Sequence, residues 1–130
     1  MAYTGKLRLG GFEYKLIRCS FSLKRSVDEK GKPTSKIYGG TIHVTIESNE
    51  ATFLVEFFLN NQTAPIDGAI IITNISQERN AKEISFKKGY IIDYTETVDL
   101  GNTSSQIVNL AISAKTLRIG TAVHNNDWTA

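Results

Sequence analysis

The chain reads as a mainly β domain, a barrel or sandwich with one helix set against it and one long polar arm. Three observations support this. Apolar and polar residues alternate at period two over most of the length, the signature of half-buried strands. A single segment, "SNEATFLVEFFLNNQ", instead carries Phe53, Leu54, Phe57 and Phe58 at i, i+1, i+4 and i+5, the stripe of an amphipathic helix. The alternation slips phase at several points, and such bulges are what curl a sheet into a barrel.

In chain order, Tyr3, Leu7 and Leu9 alternate with Thr4, Lys6 and Arg8, and Gly10-Gly11 predicts a tight turn. Phe12, Tyr14 and Leu16 follow. A strand of opposite phase then places Ile17, Cys19, Phe21 and Leu23 on one face and Arg18, Ser20, Ser22 and Lys24 on the other. The slip at Leu16–Ile17 predicts a bulge or sharp bend. From about Lys24 to Lys36 the chain is polar, with five basic and two acidic residues and only Val27 to bury. Gly31 and Pro33 bend this arm without making a strand.

Gly39-Gly40 predicts a bend or bulge at the start of the next strand, where Ile42, Val44 and Ile46 alternate with Thr41, His43, Thr45 and Glu47. Ser48 or Asn49 is placed to cap the helix, Glu50 favours its positive end, and Asn60-Asn61 ends it. "AIIITNI" (69–75) is an apolar β-branched strand. "EISFKKGYIIDYTE" puts Ile84, Phe86, Tyr90, Ile92 and Tyr94 in one phase. "QIVNLAISAKTLRI" does the same with Val108, Leu110, Ile112 and Ala114, then flips to Leu117 and Ile119, marking a bulge or corner. No repeat, linker or low-complexity tract interrupts the single domain spanning 1–130.

With 130 residues and a formal charge of +2, the chain suits one core. The pI near 8.7 reflects only that small surplus, and no basic cluster is interleaved with aromatics, which argues against nucleic acid. Cys19 is the only cysteine, so an intrachain disulfide and a cysteine zinc site are excluded, and it reads as a small buried hydrophobe. Met1–Gly10 has no long apolar stretch, and no run approaches the roughly 20 apolar residues that span a bilayer. Synthesis and folding in the cytoplasm, with any export independent of a cleaved leader, is the expectation, and no membrane insertion is expected.

Chemistry is hard to find. His43 and His124 are the only histidines. His43 faces Glu47 along its strand, too thin a pair for a metal, and His124 falls in the tail. Asp93, Glu96, Asp28 and Glu29 read as solvated carboxylates, with no apolar frame to raise a pKa. Asp67-Gly68 reads as turn chemistry. Lys24-Arg25 and Lys87-Lys88 read as edge or solvent features. "LGGFEYK" has no phosphate-loop pattern and enters a strand. The sequons "NQT" and "NIS" lack a leader to give them meaning. No catalytic, metal or cofactor residue is assigned, and a non-enzymatic binding or assembly role is the default.

Six stretches, in order and spacing, carry a family resemblance: "KLRLGGFEYKLIRCSFSL" (6–23), "DEKGKPTSKIYGGTIHVTIES" (28–48), "DGAIII" (67–72), "ISFKKGYIIDYTE" (84–96), "LAISAKTLRIG" (110–120) and "HNNDW" (124–128). Almost end to end, the chain resembles the tube (needle) protein of type VI secretion systems, called Hcp or TssD, in its Bacteroidetes form. Phe58 in the helix and the segment "QTAPIDG" depart from the family pattern. The resemblance implies a single β-barrel of two curved antiparallel sheets, with the helix packed on its side and an extended loop at about residues 25–36. It further implies a homohexameric ring with a central channel, rings stacked into a tube, and sheath, spike and baseplate partners. Effector proteins are the implied cargo, and the subunit leaves the cytoplasm for the extracellular space or a target cell on firing.

In these terms the arm packs on an adjacent subunit, and Arg25, Asp28, Glu29, Lys30, Lys32, Pro33 and Lys36 form the ring or stacking interface. Exposed charge pairs there contribute only about 0–1 kcal/mol each, so assembly rests on many repeated weak contacts. Polar strand faces are the candidates for the channel wall. Trp128 is expected to tuck the tail onto the barrel. The rivals are a small β-barrel module binding carbohydrate or peptide, an effector-carrying paralogue of the tube protein, and, last, a hydrolase.

Overall fold

The computed structural model describes residues 3–48, 52–60, 64–101 and 105–126. Seven strands and one helix follow in the order β1 (Tyr3–Leu9), β2 (Phe12–Lys24), β3 (Tyr38–Glu47), α1 (Phe53–Asn60), β4 (Ile66–Asn74), β5 (Arg79–Asp99), β6 (Ser105–Ile119) and β7 (Ala122–Asn125). Hydrogen bonding runs β3-β2-β1-β4-β5-β6-β7, and β3 also pairs with β6, which closes the first six strands into a barrel. Every pairing is antiparallel. The two curved sheets are thus two sides of one continuous surface, joined where β3 meets β6.

Local chemistry sets the corners. Leu9 pairs with Phe12 across Gly10-Gly11, whose φ values of 57° and 90° suit the twist of a two-residue hairpin. The β2–β3 register shifts between Leu16 and Arg18, so Ile17 is the extra residue of a bulge. It therefore points outward, half exposed, and Tyr14, Leu16, Cys19 and Phe21 pack on the core. The expected inward place of Ile17 is overturned by that bulge, and Leu23 is 40% exposed beyond it. A second shift between Ser22 and Leu23 falls at Gly39-Gly40, both at positive φ, as expected.

β5 departs further from the simple alternation. Ile84 and Phe86 are buried, but Lys88 has φ 53° and the β5–β6 register shifts between Ile91 and Asp93. Consequently Ile91 and Tyr94 pack on the core and Ile92 turns outward, 56% exposed. Asp67-Gly68 lies inside β4 rather than in a turn, at the β4–β5 register shift, where Asp67 Oδ1 accepts the Lys88 N–H at 2.9 Å.

The core comprises Leu7 and Leu9, Ile42, Val44 and Ile46, Ile66 and Ile70, Ile84 and Phe86, and the β6 row Val108, Leu110, Ile112, Ala114 and Leu117, with Leu54 of α1 added from outside. The phase flip expected after Ala114 occurs where β6 stops pairing with β3, at Ile112, and takes up β7, at Thr116. The tail histidine is therefore in a strand. His124 pairs with Leu117, its Nε2 lies 3.0 Å from Asn126 Oδ1, and Asn126 Nδ2 donates to Gly39 O (2.9 Å) and Ala114 O (3.0 Å). Asn126 so ties β3 to β6 where their ladder has opened.

On α1, Leu54 is buried, and Phe53 and Phe57 pack against the core. Phe12 packs on Phe53 with ring centres 4.0 Å apart and the rings tilted by 31°, and Phe58 stacks on Tyr94 at 6.0 Å, so the helix lies from the β1–β2 turn to the middle of β5. The first turn is held by Thr52, whose carbonyl accepts the Glu56 N–H at 3.0 Å and whose hydroxyl donates to the Glu56 carboxylate. Asn49, Glu50, Asn61 and Trp128, given roles above, lie outside the described residues. No helix among the described residues is long and apolar enough to cross a membrane.

Candidate assembly surface

The arm between β2 and β3 is a self-contained finger. Val27 and Pro33 form an antiparallel bridge. The Thr34 N–H donates to Ser26 O (2.8 Å), and the Asp28 N–H to Lys32 O (2.9 Å). At the tip, Asp28 Oδ1 accepts the N–H groups of both Lys30 and Lys32 at 2.9 Å, an Asx-type arrangement, and Gly31 takes φ 84°. At the root, Arg25 Nε donates to Ser35 O (3.3 Å).

Of the seven arm residues named from sequence, Arg25, Asp28 and Pro33 hold the finger in shape. Glu29, Lys30, Lys32 and Lys36 present side chains to solvent, and no ion pair among the described residues involves the arm. From Arg25 to Gly39 only Ser35 is not exposed.

Below the arm, the closed barrel has two local openings. β1 pairs with β2 only through Phe12–Lys15, so from Ile17 onward one edge of β2 has no strand beside it among the described residues. The resulting cleft of about 230 Å³ is lined by Tyr3, Gly5, Leu16, Ile17 and Cys19. Half-burial there pushes the Cys19 thiol above its usual pKa.

Likewise β4 pairs with β5 only through Arg79–Gly89, which leaves the matching edge of β5 from Ile91 to Asp99 without a strand beside it among the described residues. The four-stranded segment β2-β3-β6-β5 therefore ends in two different bare edges.

Its outer face is polar. Arg18, Ser20, His43, Thr45, Asn109, Asp93 and Thr95 surround a shallow hollow of about 170 Å³, where Thr45 Oγ1 donates to Asn109 Oδ1 at 2.6 Å. His43 does not pair with Glu47, whose carboxylate faces Lys15 at 4.0 Å. Among the described residues, no three His, Cys, Asp or Glu side chains converge as a metal site.

Beside the bare edge of β5 lies an apolar groove of about 450 Å³, lined by Phe57, Phe58, Leu59, Ala64, Tyr90, Ile91 and Ile92. Sequence reading missed it because it depends on two outward turns, Leu59 at the helix end and Ile92 at the bulge. At its flank the Tyr94 hydroxyl donates to Glu96 Oε1 (2.9 Å) and Ser48 Oγ donates to Glu96 Oε2 (3.2 Å). Burial, and then the bond to Glu96, push the Tyr94 hydroxyl far above its ordinary range, so it remains a donor and fixes that carboxylate.

On the opposite hairpin, Glu13 receives Arg8 Nη2 at 2.9 Å across the β1–β2 pair, with Lys6 at 3.5 Å. The Arg8 bond first, then the Lys6 charge, lowers the Glu13 pKa.

Comparison with known proteins agrees with this architecture. The family model for hemolysin coregulated protein Hcp (TssD) matches residues 1–129. The structure of Hcp1 from Flavobacterium johnsoniae superposes with a TM-score of 0.86 at 26% identity, covering 95% of this chain and 99% of that one. The tube-bearing sheath-tube complex of an extracellular contractile injection system, PVC, matches at TM-score 0.55 and 14% identity over 94% and 88% of the two chains. The 6-fold symmetrised baseplate of the anti-feeding prophage matches at 0.60 and 12%, over 91% of each. No curated protein sequence matches. The chain belongs to the Hcp (TssD) family, the structural tube subunits of type VI secretion systems.

Proposed function

We propose that six copies of this chain close head to tail into a ring and that rings stack into a conduit for effector proteins. The observation that carries the reading is the pair of unlike bare edges on the β2-β3-β6-β5 segment. β2 and β5 lie at opposite margins and run in opposite directions, since each successive pairing is antiparallel. In a ring, the β2 edge of one copy meets the β5 edge of the next in the same antiparallel sense. That contact is heterologous, so it closes by rotation rather than by a twofold axis. Six is the number that the family plan gives, and the symmetrised baseplate relative is in keeping with it.

The same closure turns the polar face bearing Arg18, His43, Thr45, Asp93 and Asn109 toward the axis. A wall of mixed small polar groups offers no large apolar patch to hold cargo. The charged tip of the arm, Asp28 to Lys32, then extends toward the adjoining ring, and Glu29, Lys30, Lys32 and Lys36 make exchangeable contacts there. Sheath, spike and baseplate proteins are the outer partners, and the work is passive transmission of force, without catalysis. Export on firing needs no leader in this scheme.

Light scattering on the purified protein should give six times the 14.4 kDa subunit mass, and electron microscopy should show rings with a central hole. A single subunit mass at high concentration, with no rings, overturns the proposal. One feature favours a second reading, a peptide- or carbohydrate-binding module: the groove of about 450 Å³ lies in the size range of ligand pockets. That reading requires saturable ligand binding by the monomer.

A further inference from the structure

We infer that the ring seam has one register, with Lys24 of β2 opposite Asp93 of the next copy and Arg18 opposite its Asp99. The inference rests on the ring reading and goes beyond it, since edge-to-edge closure alone fixes no register.

Three observations converge. First, face: the polar hollow places Arg18 and Ser20 of β2 with Asp93 and Thr95 of β5 on the lumen side. Alternation carries Ser22 and Lys24, and Thr97 and Asp99, to the same side. A slip of one residue would set lumen side chains against core-side ones, so only slips of two compete.

Second, spacing: Arg18 and Lys24 lie six residues apart on the bare edge of β2, and Asp93 and Asp99 six apart on that of β5. In an antiparallel pair a single register therefore joins both cations to both carboxylates, and a slip of two either way takes both pairs out of opposition. None of the four is ion-paired within its own copy among the described residues. One Asp99 oxygen accepts the Gly101 N–H at 2.9 Å, which leaves the second for Arg18. Between the charges, Ser20 faces Thr97 and Ser22 faces Thr95. On the core side the same register sets Leu23 against Tyr94, Cys19 against Val98 and Ile17 against Leu100. It so covers apolar groups that the lone subunit exposes, by 51% at Val98 and 82% at Leu100. Phe21 meets Glu96, whose carboxylate the Tyr94 and Ser48 hydroxyls already hold.

Third, shear: closed sheets are sheared with one hand. Around the subunit barrel, paired residues lead from Ile119 of β6 through Ile84, Ile70 and Leu7 to Tyr14. Just past Tyr14, Leu16 leads through Ile46 back to β6 at Val108. That circuit falls toward the start of β6. The lumen lies on the opposite face, so around it the fall runs the other way, from β5 through β6 and β3 to β2. Asp93, Ala111, His43 and Ser20 are level on that path, so the next β5 must be met beyond Asp93, toward Asp99. The charge register does this: Ser20 meets Thr97, four residues further on over four strands. At about 3.3 Å per residue and about 4.8 Å per strand, the tilt is about 35°, within the range of closed barrels.

The test uses the native Cys19. Residue 98 of the next copy faces it directly, with Cα atoms about 4.5–5.5 Å apart and within disulfide reach, whereas residues 96 and 100 lie diagonally at about 7–8 Å. Residues 24, 93, 96, 98 and 100 are exposed in the lone subunit, so changes there should leave its circular dichroism spectrum unchanged. Under mild oxidation Val98→Cys should give a ladder of covalent multimers, because every copy then carries one thiol on each margin. Glu96→Cys and Leu100→Cys should cross-link at least about tenfold more slowly, and Val98→Cys in a Cys19→Ser background should give dimers at most. Asp93→Lys should raise the concentration needed for rings at least about tenfold, and adding Lys24→Asp should return it to the parent value. Rings without a Val98→Cys ladder, a faster ladder from Glu96→Cys or Leu100→Cys, or no recovery in the charge-exchanged protein overturns this register and leaves the ring standing. Absence of rings in the parent protein overturns the ring itself.

Discussion

Deleting Asp28–Ser35 separates the arm as an assembly device from the arm as part of the fold. The deletion shortens the connection between Lys24 and Tyr38 from 13 residues to five. It removes no buried side chain, since Ser35 alone in the arm is not exposed. The bonds it removes are internal to the finger or leave partners, such as the Ser26 carbonyl and the Arg25 guanidinium, open to water, so their net loss is small. Loop closure improves, because each halving of a flexible loop contributes about 0.6 kcal/mol, giving about 0.8 kcal/mol here.

The monomer should therefore be as stable as the parent or up to about 1 kcal/mol more stable, measured by urea unfolding followed by circular dichroism. Both proteins must be compared at a concentration where neither assembles, because association itself stabilises the folded state. In light scattering the deleted protein should lose assembly beyond the single ring, and rings should form only at higher concentration. Destabilisation of about 2 kcal/mol or more would show that the finger braces the barrel. Unimpaired stacking would show that it has no part in assembly.

Phe86→Ala, at a site 2% exposed in the centre of the core, should cost about 3–5 kcal/mol, read from the same urea curves. Asn126→Ala removes two hydrogen bonds across the β3/β6 opening, and at about 0.5–1.5 kcal/mol each the loss should be about 1–3 kcal/mol, with faster hydrogen exchange near Gly39 and Ala114. Glu13 has its folded pKa lowered below 4.5 by Arg8 and Lys6, so its contribution is present above that pH and is lost as pH falls through the folded value. The stability difference between parent and Glu13→Gln should thus hold at neutral pH and shrink below pH 4.5 in acid titrations followed by circular dichroism.

Much of the fold was legible because burial writes itself at period two. Leu7 and Leu9, Ile42 to Ile46 and Val108 to Ala114 announced their inward faces, and Phe53, Leu54 and Phe57 announced the helix. What stayed hidden depended on single-residue insertions. Alternation cannot say which of Leu16 and Ile17 is the extra residue, nor that the β5 bulge turns Ile92 out and Ile91 in, because both choices keep an apolar residue on each side. β7 escaped because four residues with only two adjacent apolar side chains, Ala122 and Val123, carry too little pattern, and its identity comes from the two-residue turn at Gly120-Thr121 and from Asn126. The arm was visible as composition, but its internal order was not: Asp28 read as a free carboxylate, and the structure engages it with two backbone amides. The groove had no sequence signal of its own, since its walls come from α1 and from the far side of a bulge.

The bare strand margins give the lone subunit a hazard as well as a use. Unpaired backbone at a sheet edge is a template for any extended chain, so the newly made protein competes with its own misassembly until neighbours cover it. Arg18 and Lys24 on one margin and Asp93, Glu96 and Asp99 on the other make like-with-like pairing repulsive, while the wanted union joins opposite signs. Solubility before assembly and fidelity during it thus depend on the same few side chains, and neutralising one margin should yield amorphous precipitate where orderly growth was lost.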